Sequence, residues 1–164
     1  MGQPLKRVLS LPDPESTGDL ARQLVNALPA NPRGWVILLQ GELGSGKSTL
    51  ARAMLRSLGH EGSVPSPTYT LVEPYEFPGF SVYHIDLYRI ADPEELEFLG
   101  WSDLSEGLRL IEWPERIPGL NELGDIVVRL SYDGSGRAAE LAGLSDRGAL
   151  AVAGLPAHLS DPRS

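Results

Sequence analysis

The chain has no cysteine. That excludes a disulfide framework and a thiolate zinc site, and it accords with a reducing cytoplasm, where the protein is expected to reside. Long apolar runs are missing as well. None approaches the ~20 residues of a membrane span, and Met1 to Ser10 carry two basic residues without an apolar core of signal-peptide length. No membrane association is expected. Positive charge is in short supply: 14 Lys and Arg stand against 22 Asp and Glu, a formal net charge of −8. Nucleic-acid binding rests on Lys and Arg contacts to phosphates. Direct, strong binding of DNA or RNA is therefore not expected, and any role near RNA would run through a protein partner. The histidines, His60, His84 and His158, are widely spaced and make no metal-ligand pattern.

What is present suits one domain: 164 residues, 41% hydrophobic, enough apolar material for a core without staples. No repeat and no interdomain linker is visible, so residues 1–164 read as a single domain. From Ser145 the periodicity fades; 145–164 is expected to be peripheral and 161–164 disordered.

Lys6 to Leu11 reads as a short strand. Asp13-Pro14-Glu15 is a helix start, with Asp as N-cap and Pro at the first helical position. Leu20, Leu24, Ala27 and Leu28 continue at helical spacing until Pro29 and Pro32 end the run. Trp35 to Leu39 is a continuous apolar run between Gly34 and Gly41, the pattern of a strand buried on both faces. A second helix is expected from Lys47 to about Leu58. Residues 69–77 and 80–87 read as strands joined at Pro78-Gly79. Asp92-Pro93-Glu94-Glu95 repeats the helix start with a capping-box glutamate. Residues 108–113 and 125–132 read as further strands, and 137–141 as an antiparallel return after Asp133-Gly134-Ser135-Gly136. The pattern predicts an α/β, three-layer sandwich of P-loop NTPase type, with a mostly parallel central sheet and some antiparallel strands.

The loop Gly41-Glu42-Leu43-Gly44-Ser45-Gly46-Lys47-Ser48 meets G-x-x-x-x-G-K-[ST] in full, between an expected strand and an expected helix. Glycines let the backbone wrap phosphate oxygens, and successive N–H groups form an anion nest at the positive end of the following helix. Lys47 is expected on the β- and γ-phosphates and the Ser48 hydroxyl on Mg²⁺. The chain is thus expected to bind a nucleoside triphosphate. No Asn-Lys-x-Asp guanine-reading signature occurs, which tilts the choice toward ATP. Asp86 and Glu112 end two buried strands, where ligands of open α/β sheets sit. Two carboxylates beside a triphosphate repel unless a cation lies between them. Either acid could instead orient the attacking water. Ser66-Pro67-Thr68-Tyr69-Thr70 reads equally as a γ-phosphate-sensing switch or as a polar loop feeding a strand. His84 reads as a strand histidine rather than a catalytic base, and Trp113 as packing or a partner contact.

The ordered set Gly41-Glu42-Leu43-Gly44-Ser45-Gly46-Lys47-Ser48-Thr49-Leu50, Ser66-Pro67-Thr68-Tyr69-Thr70-Leu71-Val72-Glu73, His84-Ile85-Asp86-Leu87-Tyr88-Arg89 and Ile111-Glu112-Trp113-Pro114 resembles the TsaE family over most of the chain, from about Leu11 to Arg137. The resemblance implies a cytoplasmic Mg²⁺-dependent ATPase of threonylcarbamoyladenosine synthesis at adenosine 37 of tRNA. It implies TsaD and TsaB as partners, tRNA being met through the complex, and an activity weak alone and stimulated by those partners. It also implies that Ser48 and Glu112 bind Mg²⁺, that Asp86 lies near phosphates and metal, and that Pro14 to Thr17 and Arg137 line the nucleotide pocket with Gly41, Gly44, Ser45, Gly46, Lys47 and Thr49. Ser48 stands where the family usually has Thr, and Ile85 where Phe is common. Two other readings of the loop are a small-molecule kinase, against which no arginine-rich lid is visible, and a nucleotide-gated binding module without turnover.

Overall fold

A computed structural model describes residues 6–156. The expected disorder of 161–164 and the position of His158 lie outside the described residues. Strand β1 (Lys6–Leu11) leads into α1 (Pro14–Ala27) through the expected cap: Asp13 Oδ1 accepts the Ser16 N–H at 2.8 Å. Strand β2 (Val36–Gly41) runs straight into the glycine-rich loop and α2 (Lys47–Ser57). The hairpin β3 (Val72–Phe77) and β4 (Phe80–Asp86) is followed by two single-turn helices, α3 (Glu95–Phe98) and α4 (Trp101–Leu104). Strand β5 (Leu108–Glu112), the hairpin β6 (Ile126–Asp133) and β7 (Gly136–Gly143), and α5 (Asp146–Ala153) complete the fold.

The seven strands form one mixed sheet in the order β1-β7-β6-β2-β5-β4-β3. The central four, β6, β2, β5 and β4, are parallel. The flanks are antiparallel: β1 on β7, β7 on β6, and β3 on β4. Half of the six pairings are therefore antiparallel, more than the apolar runs suggested. Two hairpins supply two of them, because tight turns can join only antiparallel neighbours, and the N-terminal strand laid against β7 supplies the third. Side chains alternate along β2: Ile37 and Leu39 join the core beneath α1, α2 and α5, while Val36 and Leu38 join the core covered by α3, α4 and the turns at Pro114–Arg116 and Leu120–Leu123. Helical layers thus cover both faces. Among the described residues no helix is long and apolar enough to cross a membrane.

Three segments depart from the sequence pattern. Tyr69 to Leu71 is a turn, not strand: Leu71 N–H closes onto Pro67 O at 2.7 Å, and Leu71 takes φ +70°, so β3 starts only at Val72. After Asp92 the helix lasts one turn, because Gly100 at φ +72° interrupts it; Asp92 Oδ1 accepts from Glu94 N–H at 3.0 Å and no capping box forms. From Ser145, where periodicity fades, the chain forms α5, capped by Ser145 Oγ accepting the Gly148 N–H at 3.0 Å. This helix packs closely through Gly148 and Ala149 against the backbone of Asp125 and Gly143, so small residues replace the leucines that would mark an amphipathic helix.

Asp125 ties these parts together. Its buried carboxylate accepts from Val36 N–H (2.9 Å), Ser145 Oγ (2.7 Å) and Arg147 Nε and Nη2 (2.8 and 3.0 Å), linking the start of β2, the approach to β6 and the cap of α5. Burial pushes its pKa up, but the bonds from Arg147, Ser145 and Val36 outweigh this and hold it below the usual 3.8. A depressed carboxylate pKa stabilises the fold above the unfolded-state value, and this contribution is lost as pH falls through the folded-state value. Asp125→Ala is expected to destabilise the protein by about 2–3 kcal/mol in urea denaturation at pH 7, and the difference from wild type should shrink as pH falls below 3.8.

Candidate functional site

The carboxyl ends of β2, β5 and β4 lie side by side because parallel pairing aligns Leu39 with Glu112, and Glu112 with Asp86. The loop after β2 stands over them. Gly41 has φ +152°, and a Cβ there would meet Leu130 O at 2.6 Å, so only glycine lets the chain turn this close to β6. Gly44, at φ +80°, leaves room for the Tyr132 hydroxyl, which donates to Leu43 O at 2.7 Å. Arg137 lies 4.3 Å over the Tyr132 ring and donates to Gly44 O at 3.2 Å. The β6–β7 hairpin therefore pins the crest of the loop. Helix α2 begins at Gly46 with no side-chain cap, leaving its first N–H groups to the concave face of the loop.

The chemistry-bearing side chains converge here. Lys47 is 5% exposed. Its ammonium donates to Gly41 O (2.5 Å) and Glu42 O (3.0 Å) and sits 4.0 Å from the centre of the Trp113 ring. Burial lowers its pKa, and the charges of Glu112, Glu115 and Asp86 oppose that shift. Ser48 Oγ donates to both oxygens of Glu112, at 2.9 and 3.1 Å. Ser45 Oγ is buried without a partner. Asp86 does not join the Ser48–Glu112 contact. Its oxygens accept from Tyr88 N–H at 2.9 Å and Thr68 Oγ1 at 3.4 Å, and Thr68 shares a 2.7 Å hydrogen bond with Ser66.

Two cavities flank the loop. One, of about 210 Å³, is lined by Pro14, Thr17, Gly44, Gly46, Thr49 and Arg137 among others, which brings six of the expected pocket residues to one place. The other, about 460 Å³ and open, is lined by Gln40, Gly41, Glu42, Leu43, Trp113, Glu115 and Arg129. Three further residues take part: the sequence reading assigned His84 and Trp113 no role in the site and passed over Tyr132. His84 is buried with Nε2 2.5 Å from Glu112 Oε2. Trp113 is not strand but turns out at φ +59° beneath Lys47. Tyr132 holds the loop crest. Only the alternation that sets His84 and Asp86 on one face hinted at the first.

Together these features define an α/β protein with a glycine-rich strand-to-helix loop and paired carboxylates at the carboxyl ends of its parallel strands. Residues 11–139 match the family model described as "Threonylcarbamoyl adenosine biosynthesis protein TsaE", and the chain belongs to the TsaE family. A Haemophilus influenzae protein named tRNA threonylcarbamoyladenosine biosynthesis protein TsaE is 50% identical over 108 residues, 65% of this chain and 68% of that protein. A Synechocystis protein of the same name is 41% identical over 116 residues, 67% of this chain and 71% of that one. The crystal structure of Bacillus subtilus YdiB superposes with a TM-score of 0.70 at 20% identity, covering 93% of this chain and 95% of that one; the fold is shared.

Burial lifts the Asp86 pKa above its ordinary 3.8; the Tyr88 N–H opposes the lift and the Glu112 charge adds to it. A raised carboxylate costs stability at neutral pH, and that cost is relieved as pH falls through the folded-state pKa. Carboxyl-carbon NMR titration should place the Asp86 midpoint above 3.8. Glu112→Ala should move it down and Thr68→Ala further up.

Proposed function

We propose that the chain is a Mg²⁺-dependent ATPase of the P-loop NTPase type, acting in the cytoplasm in threonylcarbamoyladenosine modification of tRNA at position 37, with TsaD and TsaB. The family membership and the names of its relatives support the pathway. The observation that carries the chemistry is the direct contact of Ser48 Oγ with the Glu112 carboxylate beside the nest.

The residues fit both groups. A buried hydroxyl without a partner at Ser45, a loop whose Gly41 and Gly44 leave no room for a Cβ, and uncapped N–H groups on α2 suit a polyphosphate. Among the described residues no group of three or more His, Asp or Glu could cage a metal alone. One hydroxyl and one or two carboxylates suit Mg²⁺, which takes its remaining oxygens from phosphates and waters. When bound, the cation neutralises charge between phosphate and carboxylate oxygens. Lys47 adds a positive charge at the loop, Ser48 and Glu112 would hold the cation, and Asp86, paired with Glu112 on the next strand and raised in pKa by burial, would orient a water. Pro14, Thr17, Thr49 and Arg137 wall the space for the nucleoside. Any contact with tRNA runs through TsaD and TsaB, as the acidic charge suggests.

Phosphate release should be slow for the protein alone, rise on adding TsaB and TsaD, and stop on chelating Mg²⁺. Lys47→Ala and Glu112→Ala should each lower the stimulated rate about 100-fold, the scale of removing a group that stabilises transition-state charge, with folding intact by circular dichroism. No uptake of adenine nucleotide with Mg²⁺, alone or in the complex, would sink the reading. Transfer of phosphate to a metabolite would mark a kinase instead, and binding without release a nucleotide-gated module.

A further inference from the structure

His84 sits opposite Leu110 in the β4–β5 pairing, and Glu112 lies two residues further along β5. Both side chains therefore project from the same face as Val82, Leu108 and Leu110, toward α2. The ring is 1% exposed, with Nε2 2.5 Å from Glu112 Oε2, and its Nδ1 is buried without a partner. An ionised carboxylate can only accept, so the contact requires Nε2 to donate. A proton on Nδ1 would be an orphaned buried donor, which is costly. Ser48 has one hydroxyl proton spread over both carboxylate oxygens, at 2.9 and 3.1 Å, so it does not select a rotation of the group. His84, bound to Oε2 alone, does.

We infer that His84 is the positioning residue of Glu112: its Nε2–H fixes the carboxylate so that it faces the Ser48 hydroxyl beneath the loop. The consequence for cation binding rests on the reading of Glu112 given above, whereas the contact itself does not. A ligating carboxylate is aimed by the donor behind it, and loss of such a donor typically weakens metal affinity tenfold or more.

Long-range proton–nitrogen NMR on the nucleotide-free, full-length chain reads the ring directly. The expected result is an Nε2-protonated His84 whose Nε2–H proton is shifted downfield and moves back in Glu112→Ala. An Nδ1-protonated ring, or an Nε2–H signal indifferent to Glu112→Ala, overturns the inference. In Mg²⁺ titrations of ATP hydrolysis with TsaB and TsaD, His84→Leu should raise the half-saturating Mg²⁺ about tenfold with less change in the saturating rate. His84→Gln, whose side-chain amide can donate from nearly the same place, should restore it. Unchanged half-saturation in His84→Leu, or an equal defect in His84→Gln, counts against a positioning role. Absence of Mg²⁺-dependent nucleotide binding in the wild type would remove the functional reading alone, since the NMR result still decides the His84–Glu112 contact.

Discussion

Parallel pairing of β2 with β5, and of β5 with β4, is the constraint on which the site depends. It sets Leu39, Glu112 and Asp86 in one row, so the loop that leaves β2 two residues later stands over two carboxylates. A register slip of one residue would turn Glu112 to the opposite face, away from α2 and Ser48. The sheet enforces the register by burial: every residue of β5 is buried, with Leu108 and Leu110 in one core and Ile111 in the other. The apolar layers therefore do more than stabilise the fold, since they decide which side chains meet at its edge.

Acidic groups outnumber the buried ammonium at that edge. Lys47 is neighboured by Glu112, Glu115 and Asp86, and its ammonium is further satisfied by two loop carbonyls and the face of Trp113. Asp86 and Glu112 occupy paired positions on adjacent strands; burial raises Asp86, and the like charge of Glu112 adds to it. Glu112 is relieved by two donors, Ser48 and His84, whereas Asp86 has a backbone N–H and the longer Thr68 contact. The two acids are thus unequal in surroundings although alike in chemistry.

Much of this was legible in the sequence because the signals were local. The Asp13-Pro14 cap, the buried run of β2 and the spaced glycines each act through neighbours in the chain. The illegible parts arise from partners far apart. Near Ser145 the cap residue is present but the leucine periodicity is not, since α5 is held by Asp125 and packs through small residues. The stretch Tyr69 to Leu71 resembled the beginning of a strand, but a turn closed by Pro67 O claims it first. His84 looked like any histidine in a strand; its role is visible only once Glu112 is set diagonally across from it. Tyr132 and Arg137 likewise reach the loop only through the β6–β7 hairpin.

Among the described residues, strand β1 is an edge strand whose sole neighbour, β7, is made some 130 residues later in the chain, with Leu11 paired to Arg137. During synthesis on the ribosome, α1 and the glycine-rich loop emerge early, but the wall between Thr17 and Arg137 cannot be built until the last hairpin has left the exit tunnel. A nascent chain therefore carries the glycine-rich loop and α1 well before Arg137 is in place, and the cavity between them closes only after β7 has been made.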